Sequence, residues 1–422
     1  MSILLKDVRH KNSRADILIE GNRFKRIALP GKIFAAEIPQ GTEIVDCSHF
    51  AVLPAFYNAH THAAMTLFRG AADDLPLMKW LSGWIWPMEK KLDAEAVYAG
   101  SRLAILEMIK SGTVFFSDMY WFREATIRAA EEMGIRATVG VTFAEGLVDD
   151  SELNFEFLRA HYRDYSPRVN LAVMPHSVYT VGEKLFRRCA DIAEELDLKL
   201  HLHLSETADE AIRSRTPTGG KSPVEYLDSR GILTPRTIAA HAVHLSDLDI
   251  SILRERGVSV VHCPASNMKL ASGSFRAQAV LGAGIRVALG TDGAASNNNL
   301  DMREEMKLAA LLAKLTSGNP ETLPASKVFE MATKNGAEAY GIDAGEIAEG
   351  KLADAILVDL ENERLVPGSN LISDWVYSAD SRAVDSVLCD GKFVMRGGRV
   401  ENEDEIISSA RKAFSRLRSA SL

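Results

Sequence analysis

Cysteine is scarce in this sequence and widely spaced. The 422 residues contain four cysteines, Cys47, Cys189, Cys263 and Cys389, and none of them forms a CxxC pair. This spacing argues against a disulfide framework and against a zinc site built from thiolates. No run approaches the roughly 18 apolar residues of a membrane span, and the N-terminus shows no apolar stretch followed by a small-residue cleavage site. We therefore expect a cytoplasmic protein without a membrane partner.

Basic stripes and phosphate-binding loops are also missing. The formal net charge is -8, with both signs scattered along the chain, whereas nucleic-acid binding depends on clustered Lys and Arg. The GxGxxG and P-loop patterns are absent, which disfavours dinucleotide and nucleoside triphosphate chemistry. The sequence thus argues against a nucleic-acid partner but is compatible with a small-molecule nucleoside substrate.

Eight short apolar runs alternate with helical segments between about residues 55 and 342. Such alternation predicts an α/β protein with a parallel sheet, and eight strands favour a (β/α)8 TIM barrel over a doubly wound open sheet. Strand patterns with the hairpin signals Gly21-Asn22 and Asp390-Gly391 occupy the two ends of the chain. We predict that residues 1–54 and 343–422 form a small β-sandwich module, and that residues 55–342 form the catalytic barrel.

Histidines concentrate at the predicted strand ends. Eight of the eleven lie in or just after a strand, which is where a barrel carries its chemistry. In the motif HTH, at the end of the first barrel strand, His60 and His62 point to the same side, because residues i and i+2 of a strand do so. Two imidazoles on one side of a strand end can bind one metal ion.

Three further strand ends carry residues of the same chemical types. In HLHLSE, His203 is nearer the strand end than His201, so we expect His203 to be a ligand and His201 to lie one layer deeper with a structural role. Glu206 places a carboxylate beside the site, as a proton shuttle requires. Asp292 follows the apolar run VAL, where a carboxylate is costly unless it is paired, hydrogen-bonded or bound to metal; a helix N-cap is the alternative. His241 fits either a ligand or a hydrogen-bond donor to a bound water.

The motifs HTH, HLHLSE, AHAVHL, HCPASN and GTDGAASNN occur in an order that resembles the amidohydrolase superfamily. PAFYNAHTHAAMTLFRG and GKLADAILVDL extend the resemblance over nearly the whole chain, which looks like a member of the methylthioadenosine/S-adenosylhomocysteine deaminase family. The resemblance implies one bound divalent metal ion. Nitrogen and oxygen ligands without thiolate suit zinc, with iron as the alternative. The ligands that the resemblance implies are His60, His62, His203 and Asp292.

The resemblance also implies roles around the metal. Glu206 would shuttle protons, His241 would contact the attacking water, and Asp292 would accept a proton from that water. Glu89, in IWPMEKK, matches the family glutamate that binds the ribose hydroxyls. His176, in MPHSVYT, matches a family histidine that touches the substrate. Without the resemblance, Glu89 would be interpreted as an exposed helix charge.

The sequence departs from the family pattern at one place. The pattern has an arginine just before a GLVD segment and another shortly after it. Here Glu145 precedes that segment, and SELNFEFL follows it without arginine. In the family those arginines are expected to grip an anionic or extended 5′ substituent. We therefore expect adenosine, 5′-deoxyadenosine or methylthioadenosine as the substrate rather than S-adenosylhomocysteine.

The expected activity is hydrolytic deamination of such an adenosine derivative to the inosine derivative and ammonia. Two alternatives stay open. The first is a deaminase or hydrolase of a free heteroaromatic base such as guanine, cytosine or a triazine, and the second is an amidohydrolase-like protein that binds without catalysis. Trp80, Trp84 and Trp86 follow the first barrel strand and could cover the site, contribute to a homo-oligomer contact, or pack an apolar helix.

Overall fold

The computed structural model describes residues 2–146, 151–214 and 219–419. Its first five strands are β1 Ser2–His10, β2 Ser13–Glu20, β3 Arg23–Ala28, β4 Glu43–Asp46 and β5 Phe50–Pro54. β2 and β3 pair antiparallel across Gly21 and Asn22, which confirms the predicted hairpin. Gly21 has a φ of 63°, a left-handed conformation that glycine adopts without steric cost.

Eight parallel strands follow and form the barrel. They are β6 Phe56–Thr61, β7 Thr113–Asp118, β8 Arg136–Phe143, β9 Val169–Pro175, β10 Lys199–Leu204, β11 Thr237–His241, β12 Ser259–His262 and β13 Val287–Leu289. Their order in the sheet is their order in the chain, and nearly all of their residues are buried, as parallel strands covered on both faces require. At the seam, the N–H of Asp292 donates to the carbonyl of His60 over 3.0 Å. The predicted TIM barrel is confirmed.

Gly290 allows the two ends of the barrel sheet to approach at this seam. A Cβ atom at that position would lie 2.9 Å from the carbonyl oxygen of His60 and 2.9 Å from Cγ1 of Val261. Both contacts are too short for a carbon atom, so a larger residue would push β6 and β13 apart. The glycine therefore sets the distance between the strand ends that carry His60 and Asp292.

Helices connect the barrel strands and cover their outer face. They are α1 Leu77–Trp80, α2 Trp86–Glu89, α3 Ala94–Lys110, α4 Arg123–Met133, α5 Ser151–His161, α6 Glu183–Glu195, α7 Ala208–Ser214, α8 Pro223–Ser229, α9 Asp247–Glu255, α10 Pro264–Lys269, α11 Ala277–Gly282, α12 Met302–Ser317, α13 Ala325–Ala332 and α14 Lys334–Ala339. A π-helical turn, Leu81–Ile85, joins α1 to α2. Gly134 ends α4 with a φ of 76°, and Gly112 and Gly257 follow α3 and α9 with positive φ. Each of these three helices therefore gives way to a glycine in the left-handed conformation.

The chain then returns to its first sheet. β14 Ala355–Asp359, β15 Val384–Cys389 and β16 Lys392–Met395 complete a mixed sheet in the order β16-β15-β14-β5-β1-β2-β3, with β4 beside β1. The two ends of the chain thus build one β module, as the sequence predicts. Two helices, α15 Leu371–Tyr377 and α16 Glu403–Ser419, pack on the barrel helices instead: α15 contacts α12 and α13, and α16 contacts α3.

One predicted strand is two strands in the structure. The sequence predicts a single strand through VLPAFYNAHTH, but β5 ends at Pro54 in the module sheet and β6 begins at Phe56 in the barrel sheet. The single-strand prediction is wrong because both strands are buried, so an uninterrupted apolar run does not reveal a change of sheet. Among the described helices, none is long and apolar enough to cross a membrane.

Candidate metal centre and active site

Five predicted site residues meet at the carboxyl ends of the barrel strands. His60 lies in β6 with His62 just beyond it, His203 lies in β10, His241 ends β11, and Asp292 follows β13. Four of them are buried, and the side chain of His62 is 13 % exposed. Parallel strands end at the same edge of a barrel, so residues far apart in the sequence surround one point.

The ligand atoms of these residues form two overlapping groups of three, and each group could hold an ion. Nε2 of His62 is 3.2 Å, and Nε2 of His60 is 3.6 Å, from Oδ1 of Asp292. The ligand atoms of His60, His203 and His241 also lie within 4.8 Å of one another. Both ring nitrogens of His60 are buried without a hydrogen-bond partner, although buried polar groups need one. Burial lowers the pKa of His60 to about 4, so its imidazole is neutral and keeps a lone pair. These residues fit a divalent metal ion.

Hydrogen bonds outside this cluster orient three of the histidines. Nδ1 of His62 lies 2.5 Å from the carbonyl oxygen of Met119, and Nδ1 of His203 lies 3.0 Å from that of His176. A carbonyl oxygen accepts only, so each Nδ1 carries a proton and leaves Nε2 as the ring nitrogen that can serve the cluster. Such partners fix the tautomer of metal-binding histidines. His241 is held in the same way, with its Nδ1 2.8 Å from Oδ1 of Asn267.

Asp292 is held in an unusual backbone conformation. Its φ is 59°, which costs free energy for any residue other than glycine and is found at functional sites. Oδ2 accepts hydrogen bonds from the hydroxyls of Ser266 at 2.6 Å and Ser296 at 3.0 Å. Burial alone would raise the pKa of Asp292, but the contacts with the histidine pair of the HTH motif hold it well below its usual range. The carboxylate is therefore anionic and able to bind a cation or accept a proton.

Glu206 has the opposite electrostatic setting. It is buried, and burial raises the pKa of its carboxyl above the usual range. The turn that carries it is held by Glu210, whose carboxylate oxygens accept the backbone N–H groups of Ser205 at 3.1 Å and Glu206 at 2.6 Å. Glu206, with a raised pKa, and Asp292, with a lowered pKa, therefore suit the roles of acid and base.

A cleft of about 650 Å³, counted out to its open mouth, lies over this cluster. Asp292, Glu206 and three of the four clustered histidines form its polar floor. One wall is apolar and is formed by Leu77, Trp80, Leu81, Ile85, Trp86 and Leu270. Among the described residues that line the cleft, none is Lys or Arg. The cleft therefore suits a flat, uncharged ligand with one apolar end.

Glu89 and His176 both line this cleft, although the sequence alone gives Glu89 no such place. Glu89 ends α2, and burial raises the pKa of its carboxyl to about 7, an effect that Trp121 and Tyr120 partly oppose. His176 follows β9, and its Nδ1 lies 3.0 Å from the hydroxyls of Ser177 and Thr180. Both side chains therefore face the space that a substrate would occupy.

The tryptophans and His201 lie in different places. Trp80 and Trp86 line the cleft, whereas Trp84 is 49 % exposed. His201 is buried inside the barrel with its ring centroid 5.0 Å from that of His60. Its Nδ1 lies 2.9 Å from the hydroxyl of Tyr340, so it packs beside the cluster and is absent from the cleft lining.

The segment that departs from the family pattern is partly described. Glu145 is exposed at the end of the loop after β8, and its N–H donates to the carbonyl of Thr180 over 2.8 Å. Leu147, Val148 and Asp149 lie outside the described residues. The SELNFEFL sequence begins α5. The absence of arginine from this segment is a fact of the sequence, and Glu145 itself does not line the cleft.

Several residues of the site were missed by sequence analysis. Asn267 orients His241, Ser266 and Ser296 hold Asp292, and Glu210 holds the Glu206 turn. Each is a common polar residue outside the predicted strands, without a spacing that marks it. Ser266 and Asn267 do lie in the HCPASN motif and Ser296 in GTDGAASNN. Their place inside these motifs was the one signal that could have marked them.

Histidines at the ends of the first, fifth and sixth barrel strands and an aspartate after the eighth thus form a candidate metal centre at one end of an α/β barrel. Residues 51–394 match the model of the amidohydrolase family. The chain belongs to the amidohydrolase family, as its motifs predict.

The chain is similar over nearly its whole length to several deaminases. The chain is 48 % identical over 408 residues to 5-methylthioadenosine/S-adenosylhomocysteine deaminase 1 of Archaeoglobus fulgidus, covering 95 % of each chain. It is 45 % identical over 404 residues to the 5′-deoxyadenosine deaminase of Methanothermobacter thermautotrophicus, covering 93 % of this chain and 92 % of that one. A crystal structure of an adenosine deaminase from Xanthomonas campestris with bound zinc superposes with a TM-score of 0.92 at 34 % identity, covering 99 % and 98 % of the two chains.

Proposed function

We propose that this protein is a metal-dependent aminohydrolase that converts an adenosine derivative and water into the inosine derivative and ammonia. One observation carries the proposal: three histidines of the cluster, Asp292, the buried Glu206 and Glu89 all line a single cleft. The metal cluster and Glu206 would face the heteroaromatic ring of a nucleoside, and Glu89 would face its ribose. The deaminase names of the relatives support the same reaction.

The proposed ligands of the metal are His60, His62, His203 and Asp292. They offer three imidazoles and one carboxylate, a donor set that suits zinc, with iron as the alternative. A divalent ion held there supplies, when bound, a water of lowered pKa at neutral pH. The zinc in the Xanthomonas campestris structure is the reason to favour zinc here.

The two buried carboxyls divide the proton transfers. Asp292 is anionic and accepts a proton from the attacking water. Burial raises the pKa of Glu206, which favours its protonated form and suits a group that donates to the ring nitrogen beside the reacting carbon. His241, with Nδ1 donating to Asn267, presents Nε2 to the attacking oxygen. The amine then leaves as ammonia with the proton that the carboxyls relay.

The proposed substrate carries an uncharged 5′ group. Glu89 lines the cleft, where its carboxyl can accept the ribose hydroxyls, and the ring centroid of His176 lies 4.6 Å from that of His203 in the cluster. The apolar wall from Leu77 to Trp86 then faces the 5′ end. An amino-acid carboxylate on the substrate finds no Lys or Arg among the described lining residues, and an unpaired charge costs binding energy. Adenosine, 5′-deoxyadenosine and methylthioadenosine are therefore preferred to S-adenosylhomocysteine.

Ammonia release by the zinc-loaded protein tests the proposal. The panel holds adenosine, 5′-deoxyadenosine, methylthioadenosine, S-adenosylhomocysteine, adenine, guanine, cytosine and a triazine. We expect turnover of the three uncharged nucleosides and little of S-adenosylhomocysteine. Turnover of free bases alone would keep the chemistry and overturn the role of Glu89. A protein that binds metal and nucleosides but turns over nothing would instead be a non-catalytic binder.

The four cysteines are free thiols, in keeping with a reducing compartment, and we propose a cytoplasmic location.

Separate catalytic and β-module units, at 55–342 and at 1–54 with 343–422, remain our proposed domain division. A homo-oligomer is compatible with the exposed Trp84, and light scattering on the purified protein measures it directly.

A further inference from the structure

Glu305 is a fully buried carboxyl outside the predicted active site. It lies in the first turn of α12, and none of its surface is exposed. A buried acidic residue is rare unless its oxygens are hydrogen-bonded. Both are: Oε2 accepts the backbone N–H of Ala265 at 3.1 Å, and Oε1 accepts Nδ2 of Asn297 at 2.7 Å. The carboxyl is therefore shared between two segments that follow different barrel strands.

The first segment is the start of α10. Ala265 is followed by two residues that touch the metal cluster. The hydroxyl of Ser266 donates to Oδ2 of Asp292 at 2.6 Å, and Asn267 accepts from Nδ1 of His241 at 2.8 Å. Movement of this turn would move both contacts together.

The second segment carries Asp292 itself. Nδ2 of Asn297 donates to Glu305 and also to the carbonyl of Thr291 at 2.7 Å. Thr291 immediately precedes Asp292, whose left-handed φ of 59° needs support from its surroundings. The chain of contacts from Glu305 through Asn297 thus reaches the backbone of this aspartate.

We propose that Glu305 is a positioning residue, which holds the α10 turn and the Asp292 loop in register and so sets the orientation of Asp292 and His241. It touches neither substrate nor metal. The inference rests on the proposed function for its effect on turnover, but its effect on metal binding is independent of any substrate. Polar groups one layer behind metal ligands alter metal affinity or activity by about 10- to 100-fold when they are removed.

Glu305→Gln is the informative variant. The amide keeps the size of the side chain but replaces one accepting oxygen with a donor, so one of the two N–H partners faces another donor. Glu304→Gln is the matched control, because Glu304 is the neighbouring residue and accepts from Asn299 at 2.8 Å rather than from Ala265 or Asn297. Two readouts are measured for each variant: the dissociation constant of Co²⁺ with the visible absorption of the bound ion, and kcat and KM for the best nucleoside.

We expect Glu305→Gln to weaken Co²⁺ binding and to lower kcat by about 10- to 100-fold each, with KM within about threefold of the parent. For Glu304→Gln we expect the Co²⁺ dissociation constant, kcat and KM all to stay within about twofold of the parent. We also expect Ser266→Ala to lower kcat less in the Glu305→Gln background than in the parent, because both act on Asp292 through one turn. A lower Tm with unchanged Co²⁺ affinity, unchanged absorption and unchanged kcat would show a merely structural role and overturn the inference.

Two further outcomes remain interpretable. If Glu305→Gln does not fold, Asn297→Ala breaks one arm of the same chain and must show the same Co²⁺ effect; unchanged affinity and absorption there would overturn the inference. If the parent protein deaminates nothing, the proposed function fails, whereas weakened Co²⁺ binding in Glu305→Gln would still support the positioning role.

Discussion

Replacing Arg136 with methionine should destabilise the protein far more than the same change at the surface. The guanidinium of Arg136 is 4 % exposed, and it contacts Asp354, whose side chain is fully buried, at 2.7 Å. It also donates to Asp390 at 2.6 Å. Arg136 belongs to barrel strand β8, whereas the two aspartates flank strands of the β module. The pair therefore joins the barrel to the module.

The expected magnitude follows from what remains around Asp354. Removing one partner of a buried ion pair costs about 3–5 kcal/mol, because a charge is left uncompensated. The hydroxyl of Tyr57 still donates to Asp354 at 2.5 Å, and the N–H of Asp390 does so at 2.7 Å, which places the loss near the low end, at about 3 kcal/mol. For a chain of 422 residues, an unfolding entropy of about 2.1 cal/mol/K per residue converts that loss into a Tm lower by about 3 °C.

The assay is calorimetry together with urea unfolding of Arg136→Met and of the control Arg159→Met. Arg159 pairs with Glu195, and both side chains are about half exposed, so its loss should change the stability by about 0.5 kcal/mol or less. Adding Asp354→Asn to Arg136→Met should recover part of the loss, since no buried charge remains. Equal effects of the two arginine substitutions would refute the reasoning.

Three other predictions concern the site. Glu206→Gln should leave a folded, metal-loaded protein with kcat lower by about 10²- to 10⁴-fold. Asp292→Asn should lower both kcat and the bound zinc that elemental analysis measures. Near-normal turnover in either variant would contradict the role assigned to that residue. Glu89→Gln should raise KM for nucleosides while leaving any activity on free bases unchanged, and an equal rise for both would contradict ribose binding.

The barrel strands and the cluster of candidate metal ligands were predictable because their signals are local. Each strand is a short apolar run, and the position of a histidine within its run states on which side it points and how close it lies to the strand end. His60 and His62 follow from alternation alone. Glu89 was different, since nothing in its own segment distinguishes it from an exposed helix residue, and the resemblance alone placed it at the site.

The contacts that support the site were not predictable from spacing. Glu305 reaches Ala265 and Asn297 from another helix, and Glu210 reaches back to the turn of Glu206. Buried acids such as these follow ordinary helical patterns in the sequence. Their role depends on which backbone groups the packing brings within 3 Å of them.

The amino-acid sequence by itself therefore determined the eight-stranded barrel and the strand ends at which the clustered histidines and Asp292 lie, because strand periodicity and strand termination are properties of neighbouring residues. Only the tertiary structure decided where the chain passes from β5 in the module to β6 in the barrel, and which polar groups orient Asp292 and His241. It alone also showed that the cleft has an apolar wall and no Lys or Arg among its described lining residues. These features depend on distances between segments that are remote in the chain, and such distances arise only when the helices and strands pack together.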